Sequence, residues 1–221
     1  MTRARLIVAV SLLLAVAGCG DDGGTGEPPG GPPRAGQRSA PADADALVLW
    51  PAPQDPIERT SAAGLESERK EVLTQHVHAH LDVFVDGAPI EVPAGIGINI
   101  ADPEVRRFDL PDDSISYGGI ERCRKPCISP LHTHDETGIL HTESATPEPN
   151  LLGQFFTEWG VRFNESCVGE YCDPEAIAFY VDGRPYTEDP RGIELTDRKE
   201  IVIVIGTPPA QIPKRADFSD A

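Results

Sequence analysis

"HVHAHLDVFVDGAPI", residues 76–90, is the stretch from which the fold can be read. Val77, Ala79, Leu81, Val83 and Val85 alternate with His76, His78, His80, Asp82 and Phe84. Successive side chains of a β-strand point to opposite faces, so the odd positions make an apolar face and the histidines line the other. "VDG" then supplies the turn chemistry that joins two antiparallel strands. The stretch reads as a half-buried strand whose core face is already filled. Three imidazoles are left on the opposite, solvent-side face with no packing role.

The rest of the chain extends this pattern. "YVDGRP", residues 180–185, repeats the turn of "FVDGAP", residues 84–89, and predicts a second hairpin. "EIVIVIG", residues 200–206, is apolar at five successive positions, which suits a central strand buried on both faces. Helix formers in residues 55–74 predict a helix before the first histidine run. "EPNLLGQFFTEWG", residues 148–160, predicts another, with Asn150 as its cap, Gly160 as its stop and Leu151, Leu152, Phe155, Phe156 and Trp159 as its apolar stripe. The fold class expected is α+β or mainly β, an antiparallel sheet of hairpins with one or two short helices packed on it.

All six histidines lie in two short runs, and the second is "LHTHDETGILH", residues 131–141. Taken as a hairpin, Asp135 to Gly138 form its loop, with Gly138 free to take positive φ. Closing that loop sets His132 opposite His141 and His134 opposite Ile139, so His132, His134, His141 and Glu143 share one face. Opposed Cβ atoms about 5 Å apart are within reach of one ion. His76 and His80 are different, because strand residues four apart lie roughly 13 Å from each other. They cannot share an ion on a regular strand.

The metal-ligand set expected is His78 and His80 with His132 and His134, then His141, and last His76. Glu143 is a further candidate ligand, and Asp82 and Asp135 would orient imidazoles through their free N–H groups. Imidazole with carboxylate suits a transition metal, with Cu(II) and Zn(II) favoured about equally. Met1 is the only methionine, so thioether sites are not available. No catalytic residue is assigned, since no nucleophile elbow, zincin helix or phosphate loop is present. The alternatives are a metalloenzyme with a His-ligated Zn, Cu or Fe centre, using Glu143, Glu136 or Asp135 as proton acceptor, and a purely structural metal site.

The remaining features bear on where the protein works. "MTRARLIVAVSLLLAVAGCG" has a positive start, an apolar run from Leu6 to Ala17 and small residues before Cys19. Val16-Ala17-Gly18-Cys19 resembles the lipobox of bacterial lipoproteins. That resemblance implies cleavage after residue 18, acylation of Cys19 and a lipid-anchored protein on the extracytoplasmic face of a cell membrane. The paired histidine runs resemble those of uncharacterised exported histidine-rich bacterial proteins, which implies no activity. Residues 1–18 are thus read as signal peptide, 19–45 as a flexible Gly/Pro-rich tether, 46–212 as one globular metal-binding domain and 213–221 as a tail.

Four cysteines remain: Cys123, Cys127, Cys167 and Cys172. In an exported chain they read as two disulfides, with three pairings open and a thiolate metal site as the alternative. The formal charge of −17 would fall to −19 on loss of Arg3 and Arg5. Such an acidic surface repels nucleic acid. The partners expected are the membrane, through the lipid on Cys19, a metal ion, and another cell-surface protein that would exchange the ion.

Overall fold

The computed structural model describes residues 47–218, so the leader, Cys19 and the tether lie outside the described residues. In chain order the elements are α1 (Pro56–Ala62), β1 (Gln75–Val85), β2 (Ala88–Ile90), β3 (Arg106–Asp109), β4 (Ile115–Gly118), β5 (Leu131–His132), β6 (Ile139–Ser144), α2 (Leu152–Trp159), β7 (Phe163–Asn164), β8 (Cys167–Val168), β9 (Ile177–Val181), β10 (Arg184–Tyr186) and β11 (Lys199–Ile205). Seven strands make one sheet in the order β10-β9-β11-β1-β6-β5, with β2 also paired to β1. The architecture is the expected sheet of hairpins with short helices. One difference is the parallel pairing of β1 with β11, through Leu81↔Ile201 and Val83↔Ile203. The apolar run 200–206 signals burial, but nothing in it signals direction.

Both predicted hairpins form, and by the same backbone device. Asp86 and Gly87 take φ of 49° and 82°, Asp182 and Gly183 take 51° and 71°. Val85 pairs directly with Ala88, and Val181 with Arg184, so each loop has two residues. Positive φ at both central positions matches the twist of the flanking strands, and Asp-Gly tolerates it.

The alternation in β1 is obeyed. Ala79, Leu81 and Val83 are buried and join Leu140, Ile201, Ile203 and Ile205 in the main core. α2 covers that face with Leu152, Phe155, Phe156 and Trp159, all buried. Large side chains of this kind stabilise by on the order of 2 kcal/mol each. Gly160 ends α2 at φ 77°, as expected. Asn150 does not cap it. The amide of Leu151 is satisfied by Gln154 Oε1 instead, while the Asn150 side chain donates to Pro130 O and Thr142 Oγ1. α1 ends at Ala62, so most of residues 63–74 run irregularly into β1.

The opposite face of the sheet is only partly open to solvent, which corrects the sequence expectation. Residues 91–130 fold back over it and build a second, smaller core from Ile98, Ile120, Ile128 and the Cys123–Cys127 disulfide. The local pairing holds for the other cysteines as well, Cys167 with Cys172. Gly97 lies so close to Leu131 O and His132 Cβ that a side chain there would collide with them, and its φ is +73°. Backbone bonds from Thr133 N–H to Ile96 O and from Gly95 N–H to Thr133 O tie this lobe to the end of β5. The histidine face thereby acquires a roof, and His132 and Glu143 are 0% and 5% exposed.

Candidate metal centre

Strand register collects the imidazoles. β1 and β6 run antiparallel with His78 opposite His141 and His76 opposite Glu143. β5 then sets His132 opposite His141, the pair expected from the loop length. His132, His141 and His78 thus form a row across three strands, with Glu143 and His76 one step along. His134 arrives from the bend after β5 rather than from the ladder. Gly138 closes the loop at φ +83°.

The geometry around Glu143 is close to that of a coordination sphere. Its Oε1 lies 3.3 Å from His76 Nε2, 3.8 Å from His141 Nδ1 and 4.0 Å from Nε2 of both His132 and His134. Donors bound tetrahedrally at about 2 Å lie about 3.3 Å from one another. His132, His134, His141 and Glu143 form one group able to hold a metal ion, His76, His78 and His141 form another, and His80, Asp82 and Glu200 form a third, apart from these two.

The orientation of two rings is fixed from behind. His132 Nδ1 lies 2.8 Å from Ser129 O, and His134 Nδ1 lies 2.5 Å from Tyr117 O. A carbonyl only accepts, so each Nδ1 must carry the proton. In the neutral rings both Nε2 atoms then present lone pairs, and these face each other at 3.2 Å. Two lone pairs at that separation repel unless a cation lies between them. An extra proton could fill that role from the His134 side only, since burial, and then the neighbouring His134, hold the His132 imidazole far below its ordinary pKa. His141 is depressed for the same reason, burial first and His132 next, and its Nδ1 is buried without a hydrogen-bond partner. Burial, and then Glu71, raise the Glu143 carboxyl to about 7, and its Oε2 is also unpartnered. Buried polar atoms without partners are uncommon, and here they converge.

His80 was expected in this group, and the structure places it elsewhere. It sits opposite Ile139, and its ring is bound at both ends, Nδ1 to Glu200 Oε1 at 3.0 Å and Nε2 to Thr137 O at 2.9 Å. Both partners are acceptors, so the ring suits the doubly protonated form. Burial lowers its pKa, but the hydrogen bond and charge of Glu200, followed by Asp82, outweigh this and raise it. Asp82 belongs with His80 rather than with the other histidines, and burial lifts its carboxyl to about 6. Asp135 orients no imidazole. Its Oδ1 accepts from the backbone N–H and hydroxyl of Thr137 within the loop.

Three contributors escaped the sequence reading. Glu200 was taken as the first residue of an apolar strand, and only the parallel register His80↔Glu200 gives it a role. The carbonyls of Ser129 and Tyr117 are backbone groups, which residue identity does not announce. A cleft of about 340 Å³ opens onto the cluster, bordered by Glu71, His76, Tyr117, Gly118 and His134. Comparison with protein-family models, with curated proteins and with solved structures finds no match for this chain. The site is therefore defined by its own chemistry: a roofed cluster of imidazoles and one carboxylate with the donor set of a transition-metal centre.

Proposed function

We propose that this is a lipid-anchored, extracytoplasmic transition-metal-binding protein that captures, stores or hands on Cu(II) or Zn(II). The observation that carries the metal reading is the facing pair of Nε2 atoms of His132 and His134, 3.2 Å apart with both Nδ1 protons committed to carbonyls. An ion between them converts a repulsion into two bonds. Support for the anchor is the lipobox-like sequence ending at Cys19. Among the described residues no helix is long and apolar enough to cross a membrane.

The test is elemental analysis of the full chain, expressed with its leader and purified without a polyhistidine tag. Wild type should carry copper or zinc, and His132→Ala with His134→Ala should lose the ion that those two rings hold. Wild type that stays free of metal after exposure to both would refute the reading. Cys19→Ala should move the protein from the membrane fraction to the soluble one. A second reading, a metalloenzyme, is favoured by the cleft beside His134, which would admit a substrate to a metal-bound water. Hydrolytic or oxidative turnover by the loaded protein, lost in the same double variant, would support it.

A further inference from the structure

The candidate donors fall into two sets that differ in exposure and in support. His132 and His134 are held from behind by Ser129 O and Tyr117 O, and the His132 side chain is fully buried. His76 and His78 meet each other through Nε2 atoms 2.9 Å apart, and the His76 side chain is 41% exposed. Neither of their Nδ1 atoms is fixed by a hydrogen bond, so either tautomer is open to them. In the metal-free state one Nε2–H simply donates to the other. Between the sets stands His141, its ring centroid 4.5 Å from that of His134 on one side and 4.5 Å from that of His78 on the other. Glu143 likewise reaches both sets, 3.3 Å from His76 and 4.0 Å from His132 and His134.

Five imidazoles and one carboxylate exceed the four donors of a tetrahedral imidazole site. We infer that the cluster is a two-ion centre, with an inner ion at His132, His134 and Glu143, an outer ion at His76 and His78, and His141 bridging the two as an imidazolate, its N–H proton passing to water when the second ion binds. This rests on the metal reading above and adds a number and an order to it. The inner position is preorganised, since its rings are already aimed by carbonyls, and preorganised ligands lose less freedom on binding. The outer position must displace a proton from the His76–His78 bond and order two free rings. The cleft is lined by His76 as well as by His134, His141 and Glu143, so both positions can be reached from it. The outer ion, on the more exposed and less preorganised rings, is therefore the exchangeable one, which gives a capture protein a labile position beside a store.

The experiment is metal stoichiometry on the full chain loaded with zinc alone and, separately, with Cu(II) alone. Wild type should hold two ions per chain, and a chelator should remove one rapidly and the other slowly. With Cu(II), coupling between neighbouring ions should leave the integrated paramagnetic signal well below the copper content. His76→Gln with His78→Gln should hold one ion, and that one should be the slowly removed one. A wild type that holds a single ion overturns the two-ion centre and leaves the metal reading standing, while a wild type that holds none overturns both. A folded His76→Gln, His78→Gln variant that keeps two ions, or keeps none, also overturns it. If that variant does not fold, the wild-type stoichiometry and signal decide alone.

Discussion

His78 and His80 are neighbours on one face of one strand, yet they serve opposite ends. His78 stands in the row of His132 and His141, where burial disfavours charge, and beside it the facing nitrogens of His132 and His134 leave acceptors outnumbering protons. Around His80, each nitrogen finds an oxygen, and Glu200 and Asp82 favour the charged ring. The first arrangement is incomplete without a cation. The second is complete with a proton. A histidine cluster is thus not a metal site by residue count; what separates the two is whether the second-layer groups take the ring's protons or leave its lone pairs unmatched.

The sharpest way to break this contrast is metal content. His80→Ala should keep every ion that the wild type binds, whereas His132→Ala with His134→Ala should lose the inner, slowly removed one. Loss of metal in His80→Ala would return that residue to the ligand set. The same pair should separate in heating experiments. Saturating zinc at about a hundred times its dissociation constant stabilises a specific binder by roughly 2.7 kcal/mol. For a chain of this size that raises Tm by about 5–10 °C. The gain should be present in His80→Ala and clearly smaller in the double variant.

Stability of the metal-free protein should reverse the ranking. His80→Ala leaves Glu200, 1% exposed, without its ion partner, and breaking a buried pair in this way costs about 3–5 kcal/mol. A denaturant midpoint that moves by less than 1 kcal/mol would show the pair to be weak.

Next in size is a difference in titration, read from the imidazole proton resonances of the metal-free protein. His80 should titrate above 6.5, and His132 and His141 below it. The sign for stability follows. A raised folded-state pKa means that the His80 contribution is fully present below pH 6.5 and is lost as pH rises through the folded value. Glu200→Gln should remove that portion of the pH dependence, and an unchanged profile would contradict it. The smallest effect belongs to Asp135→Ala. It deletes two exposed loop bonds from Thr137, so stability should fall by about 1 kcal/mol, with metal content unchanged. A loss of metal would mean that Asp135 does orient a ligand after all.

Much of this was legible before any coordinates. Alternation in residues 76–85 separated core from histidine face because a strand has a period of two. Loop parity from Asp135 to Gly138 put His132 opposite His141 for the same reason. The Asp-Gly turns and the Gly160 stop were local and came out as read. What went astray were choices that nonlocal partners make. His80 was grouped with the other imidazoles because its partner Glu200 lies 120 residues away on a parallel strand. The solvent-side face proved roofed because residues 91–130, with little periodicity of their own, fold back onto β5.

The sequence by itself determined the strands, their faces and the company of candidate ligands, since these depend on local periodicity and turn chemistry. Only the tertiary structure decided which imidazoles keep a proton and which turn bare lone pairs on one another. That choice depends on the few ångströms between a ring nitrogen and a carbonyl or carboxylate far along the chain, and no spacing in sequence encodes it.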